Sequence, residues 1–184
     1  KHTKMGLHGA QVGVGSIIRA VAWEVFCERM DETPVDPSKI DLSPDAHTQA
    51  ISDAFLDLDP SGAIGRECAS RYVTKLNAVS KAWSNAGSFF AEWNIHKARH
   101  DELVCNSQKI ADYLTRAKAP LRFDDLDPST PEDLTCWVVG NCQFMRERLT
   151  IADLLYLAGW LDDEGVSRIM RRVDEGILKA RGKS

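Results

Sequence analysis

No two cysteines in this sequence stand in a C-x-x-C pair, and no cluster of lysine and arginine forms a basic stripe. The five cysteines (Cys27, Cys68, Cys105, Cys136, Cys142) are odd in number and scattered, the pattern of reduced thiols in a cytoplasmic protein rather than of a disulfide framework. Lys and Arg number 23 against 27 Asp and Glu, a formal net charge of -4. Without clustered cations to neutralise phosphates, nucleic acid is not expected as a partner. No uncharged apolar run reaches the length of a membrane span, and the N-terminus does not read as a signal peptide. A P-loop, a G-x-S-x-G elbow and a strand leading into G-x-G-x-x-G are all missing. Internal repeats, low-complexity tracts and alternating runs bounded by hairpin turns are missing too.

What is there is helical periodicity. The 184 residues, 43% hydrophobic and 27% charged, suffice for one ordinary globular domain with a core, taken as residues 1–184. The stretch Gly6–Ser16 carries His8 with Gly9, Gly13 and Gly15 behind it, and runs into apolar residues as far as Phe26. Its apolar positions cover more than one face, which predicts a helix over about Gly9–Glu28 buried in the middle of a bundle. Met30–Leu42, with Pro34 and Pro37, reads as a loop. Ser43-Pro44 opens a second helix, with serine as N-cap and proline at the first helical position; Pro60-Ser61-Gly62 stops it. Further helices are expected over Gly62–Ala86, within Phe89–His100, and from Leu103 to before Ala119-Pro120. Thr130 is expected to cap a helix with Asp133 at its third position, and Thr150 with Asp153 repeats the pattern. Val166, Ile169, Met170, Val173 and Ile177 make the last stripe. The expected fold is all-α, a multi-helix bundle-like domain of six to eight helices.

Few side chains bear chemistry. Imidazole is the commonest protein ligand for zinc, so His8 at the mouth of a core helix is a metal candidate, with a structural hydrogen-bonded histidine as the plain alternative. His2 has the wrong spacing to share its face. His96 and His100 stand i, i+4, the spacing of a zinc pair, amid Lys97, Arg99, Asp101 and Glu102, which read as a solvated face. Arg146 and Arg148 flank Glu147 just before the Thr150 cap; they would hold a phosphate or carboxylate, or else pair with Glu147, Asp153 or Asp162. The chain opens Lys-His-Thr-Lys with its most site-like motif in the first dozen residues, and is expected to be the C-terminal part of a longer protein.

Leu7-His8-Gly9-Ala10-Gln11-Val12-Gly13-Val14-Gly15 resembles the L-H-G-x-x-V-[AG]-x-G segment of the family that joins 3-dehydroquinate synthase, glycerol dehydrogenase and sn-glycerol-1-phosphate dehydrogenase. Arg146-Glu147-Arg148-Leu149-Thr150-Ile151-Ala152-Asp153-Leu154 looks like the R-x-R-[FLY]-T-x-x-D-L segment of the last branch. The resemblance implies the helical C-terminal domain of a two-domain enzyme whose N-terminal half binds NAD or NADP. It implies zinc, or nickel in some members, held by one acidic residue and two histidines, the second of them His8; the other two ligands would lie upstream of Lys1. The substrate would be a small phosphorylated polyol, interconverted between glycerol 1-phosphate and dihydroxyacetone phosphate, with Arg146 or Arg148 positioning the phosphate. The domain alone would be inactive, and whether it forms a homo-oligomer stays open. Ala10 stands where the synthase and glycerol dehydrogenase branches often have Glu, which turns the comparison away from synthase chemistry. A non-catalytic helical interaction module, or another branch such as glycerol dehydrogenase or a cyclitol synthase, is the alternative.

Overall fold

The computed structural model describes residues 8–182. Leu7 of the L-H-G motif and His2 lie outside the described residues. Within them the chain is all-α, with seven helices of ten residues or more and two shorter ones, and no strand. The helices pack as a bundle.

Helix α1 (His8–Glu32) is the axis. Val14, Ile17, Ala20, Val21, Val25, Phe26 and Met30 are among its buried residues, and they point to several sides of the helix. It therefore needs neighbours around it, and α6 (Ser107–Arg116), α8 (Ile151–Leu157) and α9 (Asp163–Arg181) supply them. The helix runs one turn beyond the expected Glu28, because Met30 is still buried in the core; Pro34 lies just past its end. By length and composition α1 is also apolar enough to cross a membrane, with mean hydropathy 1.2 over its most apolar stretch. Half of that stretch is buried against the rest of the protein.

The α9 stripe is buried as its spacing requires, through Val166, Ile169, Val173, Ile177 and Ala180. A second, smaller core joins α2 (Pro44–Ala54) and α3 (Ala63–Ala82) through Ile51, Phe55, Ala69, Tyr72 and Leu76, and Phe144 closes it. Tyr156 packs against both cores. Helix α2 starts at Pro44 with Ser43 as N-cap, as its residues require, but ends at Ala54, short of the Pro60 stop. Asp59 turns its carboxylate forward instead and accepts the Ile64 amide at 2.9 Å, helping to start α3, while Gly62 takes the left-handed conformation (φ 68°) that glycine tolerates.

The segment after α3 forms two helices, α4 (Ala86–Ala91) and α5 (Trp93–Leu103), divided at Glu92. Helix α6 begins later than expected, at Ser107, where the Asn106 side chain accepts the Lys109 amide. Thr130 does not cap α7 (Glu132–Asn141). Its amide is drawn back to the Phe123 carbonyl at 3.0 Å, and Pro131 takes the N-cap position. The Thr150–Asp153 cap is present at the start of α8.

Candidate functional site

His8 is the first residue of α1, and it is exposed. Seven residues are close to two helical turns, so Gly15 lies on the same face roughly 10 Å further along. A Cβ at Gly9 or at Gly15 would meet no atom within 4 Å, whereas one at Gly13 would press on Leu114 at 3.3 Å. Packing against α6 accounts for a small residue at 13; at 9 and 15 packing among the described residues demands none.

The Gly15 face opens on a groove of about 330 Å³ between α1 and the segment that joins α7 to α8. Ile18 and Arg19 of α1 line one wall, and Cys142, Arg146 and Ile151 line the other. The two motifs, from opposite ends of the chain, thus share one cleft, mostly apolar in its walls. Arg19 and Arg146 stand on it without an ion-pair partner among the described residues. Other arginines of the chain do form ion pairs: Arg168 and Arg172 with Glu28, Arg122 with Asp174, Arg181 with Asp125. Arg148 is exposed and lies outside the groove.

Asp153 does not pair with either arginine of the R-x-R segment. It is fully buried, and one of its oxygens accepts the Lys75 ammonium at 2.8 Å. The other accepts both the amide and the hydroxyl of Thr150, at 2.7 and 2.8 Å. Lys75, whose side chain is 3% exposed, also donates to the Gln143 carbonyl at 2.7 Å and sits 4.9 Å above the Tyr72 ring. The Tyr72 hydroxyl is buried and makes no hydrogen bond. Burial, reinforced by the Asp153 carboxylate, holds its pKa well above the ordinary tyrosine range, so the hydroxyl keeps its proton. Burial raises the Cys142 thiol as well, again with help from Asp153. Lys75 escaped the sequence reading because its partners lie 68 and 78 residues away. The available signal was a lysine three residues after Tyr72 and just before Leu76, on the apolar side of α3.

His96 and His100 share α5 but not a site. The His96 ring stacks on Phe89 of α4 with centroids 4.5 Å apart, and the His100 ring stacks on Trp23 of α1 at 3.8 Å. Each ring is held by an aromatic face, while Arg99, Asp101 and Glu102 around them are exposed, as a solvated face requires. Among the described residues no three His, Cys, Asp or Glu are grouped closely enough to hold a metal ion, so His8 completes no metal site with them.

No family model, curated protein or solved structure matches this chain.

Proposed function

We propose that this chain is the helical domain of a metal-dependent NAD(P) dehydrogenase of a small polyol phosphate, similar to the sn-glycerol-1-phosphate dehydrogenases. One observation carries the reading: Gly15, the last residue of the first motif and on the helix face that begins with His8, lines the same groove as the turn that bears Arg146. The glycines add to it. A helix-interior glycine costs about 0.5–1 kcal/mol relative to alanine, and at position 15 no contact among the described residues repays that. Close approach by a ligand or by a second domain does.

In this reading His8 is one ligand of a zinc or nickel ion, and the remaining ligands and the nucleotide-binding domain precede Lys1. The metal supplies Lewis-acid polarisation of the substrate oxygen when bound. The residues of this chain bind and orient: Arg146, exposed at the edge of the groove, receives the phosphate through charge-assisted hydrogen bonds. Of the two arginines in the motif, Arg146 is the one on the groove, and the phosphate role is assigned to it.

A second reading, a non-catalytic helical interaction module, is favoured by the lack of grouped metal-ligating side chains among the described residues. The two diverge in one assay. The polypeptide carrying this domain together with its nucleotide-binding half is expected to oxidise NADH or NADPH with dihydroxyacetone phosphate and not with free dihydroxyacetone. Arg146→Leu is expected to raise KM for the phosphorylated substrate by about tenfold or more, the worth of a charge-assisted hydrogen bond. Equal turnover of the free and phosphorylated compounds would move the protein to another branch, and an unchanged KM would remove the phosphate role. No turnover with any of them would leave the interaction module.

A further inference from the structure

We infer that Lys75 is a positioning residue for the phosphate-binding arginine, an inference that rests on the assignment of Arg146 above. The turn that bears Arg146 runs from Gln143 to Thr150, and the Lys75 ammonium holds both of its ends. At the near end it donates to the Gln143 carbonyl, at 2.7 Å. That same oxygen accepts the backbone amide of Arg146, at 3.4 Å. At the far end Lys75 donates to Asp153, whose other oxygen fixes the Thr150 amide and hydroxyl. One cation on α3 thus sets the spacing between the two anchors of the turn.

Stability alone is a poor reason for this arrangement. Taking an ammonium and a carboxylate out of water costs several kcal/mol each, by order of magnitude, and well-packed apolar residues in their place are often as stable or more so. An apolar pair fills volume but fixes no direction. The ion pair and its hydrogen bonds fix the path of the backbone, and with it where the Arg146 guanidinium starts from. Phe144 holds the turn from beneath, edge-on to Tyr72 and Tyr156 with ring centroids 5.1 and 4.9 Å away. The arginine at the turn's outer side has no such packing and depends on the anchors.

The test is a double-mutant cycle on the polypeptide that carries this domain with its nucleotide-binding half, with glycerol 1-phosphate as the probe and the dissociation constant read by isothermal titration calorimetry. Arg146→Leu and Lys75→Met are each expected to weaken binding about tenfold, and the double variant no further than Arg146→Leu alone, because Lys75 acts through Arg146. A folded Lys75→Met protein with native affinity overturns the inference, as does a double variant in which the two losses add. Native affinity in Arg146→Leu, or no binding by the unaltered two-domain polypeptide, instead overturns the phosphate assignment itself and the inference with it. Should Lys75→Met not fold, Asp153→Asn, which keeps an acceptor for Thr150, takes its place in the cycle with the same expected outcomes.

Discussion

A methyl group added at residue 15 would touch nothing in this chain, while one added at residue 65 would lie 2.5 Å from the Ser52 carbonyl oxygen, where α2 and α3 cross. The two glycines are therefore present for opposite reasons. Gly65→Ala is expected to lower stability by roughly 1–3 kcal/mol, since the α2 backbone must move to admit the Cβ. Gly15→Ala is expected to raise it by about 0.5–1 kcal/mol through the better helix propensity of alanine and the smaller entropy of its unfolded chain. Urea unfolding of both variants checks this. Destabilisation by Gly15→Ala would mean that some contact within the chain requires the glycine, and the argument for close approach at that face would fall. Spacing groups Gly15 with Gly9 and Gly13 and cannot say which of the three has a neighbour. It also picks out the histidines of α5. Their rings were out of its reach, because a stacking partner on another helix leaves no local trace.

At the scale of elements, α1 and α9 are joined across their exposed edges by charge. Glu28 takes Arg168 at 3.0 Å and Arg172 on its other oxygen, while Arg172 also approaches Glu24 at 3.7 Å and Arg168 approaches Glu32 at 3.6 Å. Partial burial by itself would raise the Glu28 carboxyl, but the hydrogen bonds and charge of the two arginines outweigh it and hold it below its ordinary value of 4.5. A carboxyl whose pKa is lower folded than unfolded stabilises the fold fully above its unfolded value. That stabilisation is lost as pH falls through the folded value. These groups are a third exposed or nearly so, so solvent screening keeps the effect to about 1 kcal/mol or less. Glu28→Gln is expected to lose that amount at pH 7, and the gap to the unaltered chain should close as pH is lowered from about 4.5. A gap that stays constant down to pH 3 would mean that the carboxylate charge is not its source.

Local signals were legible in these elements. Ser43 with Pro44, Thr150 with Asp153, and the α9 stripe each declare themselves within one or two turns of chain. Thr130 carried the same kind of signal and lost to a longer-range bond with Phe123. Asp153 shows the boundary most clearly. Its cap to Thr150, three residues away, is written in the motif, and its ion pair with Lys75, 78 residues away, is not. The proposed phosphate arginine depends on the second as much as on the first.

For the whole molecule, the arrangement follows from an apolar helix too broad in its hydrophobic surface to lie at an edge. With α1 at the centre, His8 at its head is exposed among the described residues, and the segment between α7 and α8 comes to rest beside Gly15. Both motifs then meet in a way that neither motif implies by itself. The proposed dehydrogenase asks one further thing of this layout, that the exposed imidazole at the head of α1 act as a ligand to a metal held jointly with residues outside this chain. The most direct measurement is the metal content of the purified polypeptide that carries this domain with its N-terminal half, by plasma mass spectrometry, with and without His8→Ala. We expect close to one zinc or nickel ion per polypeptide, lost in His8→Ala while the helical content by circular dichroism stays unchanged. A metal-free polypeptide, or one that keeps its metal when His8 is removed, would contradict the proposal.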